Sequence, residues 1–143
     1  MSRPSLIRCE WRAALPATLQ AAEEFFAEFR RRSRALMDKA NCFAAELLVR
    51  EALTNAVVHG SHADPAKRVR CSLRWKGGCL LIAVEDEGEG FDWRAAWNHE
   101  AEFPDGSGRG VEILRKYADR VRYNRRGNAV TMIKRIGWRT TTS

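Results

Sequence analysis

The stretch Glu51-Ala52-Leu53-Thr54-Asn55-Ala56-Val57-Val58-His59-Gly60 decides how the rest of this 143-residue chain is read. Glu51, Asn55 and His59 recur every four residues, so on a helix each is turned about 40° from the last and the three share one face. Leu48, Val49 and Ala52 are left to pack that helix on a sheet. An acid and a carboxamide in an otherwise apolar helix cost stability if buried without partners. They are therefore either a polar stripe at a helix edge or groups held for a ligand. A carboxamide oxygen is a hard ligand suited to Mg²⁺, which keeps several waters and leans on substrate phosphates. Asn41 is a suitable N-cap for this helix, which runs to about His59. Gly60 ends it, and Asp64-Pro65 continues the turn.

Two strands follow. Val69, Cys71, Leu73 and Trp75 alternate with Arg70, Ser72 and Arg74, a period of two. Gly77-Gly78 then joins this run to a second one over 80–86, a strong hairpin signal. Directly after that apolar strand comes Glu85-Asp86-Glu87-Gly88-Glu89-Gly90-Phe91. Asp86 thus lies at a strand end, where open sheets place ligands, and a carboxylate there can accept a hydrogen bond from an exocyclic amine such as that of adenine. Gly88 and Gly90 permit positive φ and close approach of backbone to a ligand. The alternative is an ordinary acidic turn. Farther on stands Gly106-Ser107-Gly108-Arg109-Gly110, followed at once by a helix over 111–117. Such a loop offers free N–H groups and the positive end of a helix dipole to phosphates, and Arg109 adds a donor of charge-assisted hydrogen bonds. It is no Walker A loop, since no Gly-Lys-Ser/Thr follows, and no strand precedes it as a dinucleotide fold requires. The segment 87–110 is long for a structureless connection in a small domain, which itself points to function; Trp93 to Trp97 suggests a short helical turn within it.

Toward the N-terminus, residues 6–11 suit a short strand, and Pro16 suits the first turn of a helix. Leu15, Leu19, Ala22, Phe26, Phe29 and Leu36 recur at three- and four-residue spacing, the apolar stripe of one long helix. Toward the C-terminus, 121–124 and 129–136 form a second hairpin about Arg126-Gly127-Asn128, and 138–143 reads as a frayed tail. The order is strand, helix, helix, hairpin, loop, helix, hairpin. Helices and strand pairs are grouped, not strictly alternating, which predicts an α+β two-layer sandwich: a mixed sheet covered on one face by helices. No repeat or low-complexity tract interrupts it, and the length fits one domain over 1–143.

Composition narrows the function classes. No apolar stretch approaches the ~20 residues of a spanning helix, and the N-terminus has no signal-peptide core, so the expectation is a soluble cytoplasmic protein. Cys9, Cys42, Cys71 and Cys79 are scattered, with no Cys-x-x-Cys pair and no histidine at zinc-ligand spacing; Cys71 reads as a small buried residue. His62 and His99 lie in polar segments and read as solvated. The formal charge is +7, which can attract nucleic acid, a membrane surface or an acidic protein. The densest cluster, Arg30, Arg31, Arg32 and Arg34, has no interleaved aromatics and reads as a solvated helix face, with an acidic protein partner next in line and direct nucleic-acid binding excluded.

Taken together, the helix face, the strand-end Asp-x-Gly-x-Gly-Phe and the glycine loop, in this order and with one intervening hairpin, resemble the N box and the two glycine boxes of the GHKL ATPase superfamily (gyrase, histidine kinases, MutL). The resemblance covers about residues 6–136 and implies the Bergerat-type fold of that superfamily. Within it, the run from Glu51 to Gly60 looks most like the anti-sigma-factor serine kinases of bacterial partner-switching systems. That resemblance implies ATP and Mg²⁺ as cofactors. It implies Glu51 as general base toward a substrate serine, Asn55 as the Mg²⁺ ligand and Asp86 as reader of the adenine amine. Gly88 and Gly90 become the turn beneath the nucleotide, Gly106, Gly108 and Gly110 the lid over the phosphates, and Thr131 a residue near adenine. His59 is left a packing or hydrogen-bonding role. The implied function is a serine/threonine protein kinase that also binds a sigma factor or analogous regulator and phosphorylates a STAS-type antagonist, acting as a homodimer. Three alternatives stay open: the catalytic part of a sensor histidine kinase, disfavoured by the lack of an upstream helical hairpin with a phospho-accepting histidine; a binding-only adaptor; and a switch kinase acting on a STAS scaffold.

Overall fold

Alternation along Arg68-Val69-Arg70-Cys71-Ser72-Leu73-Arg74-Trp75-Lys76 dictates a strand with one dry face, and that strand organises the sheet. In the computed structural model, which describes residues 8–90 and 107–137, Val69, Cys71, Leu73 and Trp75 are buried while their neighbours face outward. The elements are β1 (Arg8–Pro16), α1 (Leu19–Ser33), α2 (Lys39–Asn55) with a π-helical turn (Ala56–Gly60), β2 (Arg68–Lys76), β3 (Cys79–Asp86), α3 (Ser107–Tyr117), β4 (Arg120–Tyr123) and β5 (Ala129–Arg135). Gly77 and Gly78 turn the β2–β3 hairpin with φ of 59° and 77°, a conformation only glycine adopts freely.

The strands lie in the order β1-β2-β3-β5-β4. The two-layer α+β architecture is as expected, but every described strand pair is antiparallel, so the sheet is not mixed. The connection through α3 returns to β4 at the far edge, running in the direction of β3, and β5 then folds back between the two, antiparallel to both. One face of this sheet carries the helices. Phe25 stacks on Trp11 with ring centroids 4.3 Å apart, and Phe29 on Trp75 at 6.4 Å. Leu48, Val49, Leu53 and Val57 continue the core along α2 toward Val84 and Met132. Burial of each such side chain contributes about 1.5–3 kcal/mol.

Several local expectations are corrected. Leu15 and Pro16 belong to β1, not to a helix. Cys9, Trp11, Ala13 and Leu15 all pack toward the core, and Pro16 is tolerated because β1 is an edge strand. The helix starts at Leu19, capped by the Thr18 hydroxyl, which accepts from Ala21 N–H at 3.1 Å. For α2 the cap is Asp38, which accepts from the backbone N–H of Asn41 at 2.8 Å. The Asn41 side chain instead donates to the Ile136 carbonyl at 3.1 Å. Ser107, Gly108, Arg109 and Gly110 form the first turn of α3 and are not a loop ahead of it. The phosphate argument moves with them, because the first four N–H groups of a helix lack intrahelical partners. The suggested turn at 93–97 and the tail at 138–143 lie outside the described residues. All four cysteines are free, and burial pushes the Cys71 thiol up to about 12. No helix among the described residues is long and apolar enough to cross a membrane.

Candidate functional site

Where β3 ends, the chain turns sharply against two other segments. Asp86 is 8% exposed, and its carboxylate accepts from the Gly88 N–H at 2.7 Å. Its other oxygen makes no hydrogen bond among the described residues. The Asp86 backbone exchanges two bonds with Asn128: its N–H donates to the Asn128 carbonyl, and its carbonyl accepts from the Asn128 carboxamide, both at 2.9 Å. Arg126 donates to the Gly88 carbonyl at 3.0 Å. The hairpin that presents these groups is itself shaped by Asn124, whose side-chain oxygen accepts from the N–H groups of Gly127, Asn128 and Ala129 at 2.8, 3.0 and 3.2 Å.

Glycines make these contacts possible. A Cβ on Gly60 would lie 2.3 Å from the Asp86 carboxylate, and one on Gly88 would lie 1.8 Å from the Gly60 carbonyl oxygen. Gly90 has φ of 91°, and a Cβ there would lie 1.7 Å from the Arg126 carbonyl oxygen. Three backbone segments therefore meet without side chains between them. Beside the junction lies a cavity of about 150 Å³. Ala52, Val84 and Val130 give it apolar walls, with Asp86, Asn55 and His59 as polar groups. Burial holds the Asp86 carboxyl above the usual carboxylate range, opposed by the Gly88 hydrogen bond; Glu85 adds to the rise, while Arg126 and Lys67 oppose it. An apolar slot with one carboxylate oxygen free to accept suits a flat heterocycle that donates a hydrogen bond from an amine.

The helix face behaves as the four-residue spacing requires, with one modification. Asn55 lines the cavity, and Glu51 is half-buried one turn earlier. After Asn55 the helix widens: Ser61 N–H donates to the Ala56 carbonyl at 2.9 Å, the five-residue spacing of a π turn. Such turns advance roughly 80° per residue, not about 100°, so His59 swings back toward the azimuth of Glu51. The electrostatics agree: burial raises the Glu51 carboxyl, and His59 lowers it in part. Tyr123 closes the cavity from β4, its hydroxyl held above its ordinary value by burial and then by the charge of Glu51.

The structure thus brings Asn55, Asp86 and Gly90 to the cavity, with Gly88 bonded to the Asp86 carboxylate beside it and Glu51 one helical turn before Asn55. It does not bring Thr131, which is exposed on the opposite face of the sheet; the inward neighbours Val130 and Met132 take the pocket side of β5. A strand's faces alternate, so one residue of register decides the matter. Gly106 lies outside the described residues. Ser107, Gly108, Arg109 and Gly110 are placed only by the backbone of α3. Sequence reasoning missed Gly60 as a packing position, and it missed Asn124, Arg126 and Asn128 as supports of the Asp86 turn. An Asn-x-x-Gly-Asn run in a hairpin was the available signal.

The donor set fits a nucleotide bound with magnesium: a carboxylate for an amine, a carboxamide for a hard cation, and a helix N-terminus for phosphates. Comparisons with known proteins bear on the nucleotide. Residues 12–134 match the family model described as the histidine kinase-like ATPase domain. Among solved structures, 12 chains match. One is the histidine kinase domain of a blue-light activated histidine kinase from Erythrobacter litoralis EL346, 24% identical, with a TM-score of 0.52 over 67% of this chain and 45% of that one. The likeness therefore spans less than half of that protein's domain and speaks to the fold. A search of curated proteins found no significant match. With the family model covering nearly the whole chain, and the helix face and the Asp86 turn meeting at one cavity, the chain belongs to the histidine kinase-like ATPase domain family of the GHKL superfamily, an ATP-binding domain.

Proposed function

We propose that the protein is a serine/threonine kinase of a partner-switching system, which binds a sigma factor or analogous regulator and phosphorylates a STAS-type antagonist, working as a homodimer. The observation that carries this reading is Glu51, half-buried one helical turn before Asn55, with its carboxyl raised by burial. A base with a raised pKa sits closer to neutrality, where general-base catalysis is most effective.

In this reading Asp86 accepts a hydrogen bond from the adenine amino group with its unspent oxygen, and Val84, Ala52 and Val130 exclude water from the ring. Asn55 would hold Mg²⁺, which supplies charge neutralisation at the phosphates. The free N–H groups at the start of α3 would receive the phosphate oxygens. Glu51 takes the proton of the acceptor serine as its oxygen bonds to the γ-phosphorus, the bond from that phosphorus to the bridging oxygen breaks, and ADP leaves. Positioning of Glu51 is shared with His59 and Tyr123.

Single-turnover transfer from labelled ATP to a serine-bearing STAS antagonist tests the assignment. Glu51→Ala should slow transfer by about 10²–10⁴ and leave ATP affinity nearly unchanged. Transfer at the wild-type rate by Glu51→Ala would remove this residue as base. Absence of transfer by the wild type, with ATP still bound, would make the domain a binding module.

A further inference from the structure

We infer that the open face of the sheet, opposite the nucleotide cavity, is a docking surface for an acidic amphipathic helix of a partner protein. The inference goes beyond the kinase reading and does not depend on it. Its starting point is where the positive charge resides. On the helical layer the arginines are matched: Arg30 with Glu46 at 2.8 Å, Arg31 and Arg32 with Glu28, and Arg50 with Glu46 at 3.0 Å and Glu23 at 3.3 Å. Arg32 also covers the Trp11 ring at 4.4 Å. The arginine run at 30–34 is thus largely spoken for within the fold.

The sheet is different. Its outward positions on β2 are Arg68, Arg70, Ser72, Arg74 and Lys76, and on β4 they are Arg120 and Arg122. β1 adds Arg12 and β5 adds Arg135. Outward carboxylates within the described strands are Glu10, paired with Arg12 at 2.6 Å, and Glu85, 3.5 Å from Arg70. Arg74, Lys76, Arg120 and Arg122 make no ion pair among the described residues. An uncompensated field of one sign over one face steers and orients a partner of the opposite sign.

Register gives this face a shape. One row runs Arg12, Ser72, Ala83, Thr131, Arg122 across all five strands. Its middle is small side chains and its ends are arginines, about 19 Å apart at strand spacing. Arg74, Leu81 and Ile133 border the row on one side, Arg70 and Glu85 on the other. Four residues separate Arg70 from Arg74 along β2, so the borders stand about 13 Å apart. A shallow groove of about 510 Å³ lies along this row from β1 to β5, on its Arg70 and Glu85 side. The span between the two border rows matches an α-helix, about 10–12 Å across with side chains. Ala83, Leu81 and Ile133 call for small and apolar side chains on the occupant, the hydroxyls of Ser72 and Thr131 accommodate polar ones beside them, and Arg74 and Arg122 call for carboxylates. Nucleic acid fits less well: no outward strand position described here is aromatic, and Glu10 and Glu85 would repel phosphates.

The probe is a stapled helical peptide of about 14 residues, labelled for fluorescence anisotropy, with Ala and Leu on one face and Glu along both flanks. The full-length protein should bind it, more weakly as salt rises. R74E and R122E should each reduce affinity about tenfold, and A83W should abolish binding by filling the floor. Nucleotide affinity of all three variants, read on the other face, should stay at the wild-type value, which shows that they fold and keeps this test separate from that of the kinase. Tighter binding of duplex DNA than of the peptide would overturn the proposal in favour of nucleic acid. Peptide affinity unchanged by A83W, or equal affinity for a scrambled peptide of the same charge, would overturn it in favour of unspecific charge attraction.

Discussion

Asp86→Asn separates what the buried carboxylate does for the fold from what it does for a ligand. The substitution keeps shape and keeps an oxygen to accept the Gly88 N–H at 2.7 Å, while removing charge and the acceptor-only character of the second oxygen. Because burial raises the carboxyl in the folded state above its ordinary value of 3.8, the folded protein holds that proton more tightly than the unfolded chain. The ionised form therefore costs stability at neutral pH, and the cost disappears as pH falls through the raised folded pKa toward 3.8. Asp86→Asn should match or exceed the wild type in urea unfolding at pH 7.5, and the difference should close in mildly acidic buffer. ATP affinity should move the other way. A charged hydrogen bond is worth about 1.5–3 kcal/mol, or roughly 10–150-fold in Kd, measurable by calorimetry at fixed magnesium, and wild-type protein should discriminate against GTP. Equal ATP affinity for variant and wild type would refute the adenine contact. A variant both weak in binding and less stable at pH 7.5 would refute the separation, and make Asp86 a structural support of its turn.

Gly88→Ala would drive a methyl to 1.8 Å from the Gly60 carbonyl oxygen; the expected cost is about 1–3 kcal/mol of unfolding free energy, together with loss of nucleotide binding. Asn55→Ala should keep the melting curve of the wild type and lose the magnesium-dependent part of ATP affinity, read by titration with and without chelator.

Much of this molecule was legible because its signals are local. Gly77-Gly78 between an alternating run and a continuously apolar one left one solution for β2 and β3, and Asp86 at the end of that apolar strand could be placed from the strand alone. Leu15 misled because its spacing to Leu19 fits a helix, while its true partners Cys9, Trp11 and Ala13 are too small or too mixed to advertise alternation. Asn41 looks like a cap until Ile136, 95 residues away, claims its side chain. Thr131 and Val130 are adjacent, and only pairing with β3 tells which one faces the pocket. Strand sense was hidden likewise, since it depends on β5 inserting between β3 and β4. Gly60 reads as a helix terminator in isolation; its reason is the carboxylate of Asp86, on another element.

The junction of the Gly60, Gly88 and Arg126 segments also bears on the order of folding. Its hydrogen bonds join residues 38 and 42 apart in sequence, whereas β2 and β3 pair across a two-residue turn. Loop-closure entropy delays such distant contacts, so the hairpin belongs to the early part of assembly and the pocket floor to a later one. A nucleotide seated on that floor has nothing to hold in the transition state and everything to hold in the native state. It acts as a late clasp: the rate of unfolding falls as the site fills, while the rate of folding stays where the bare chain sets it.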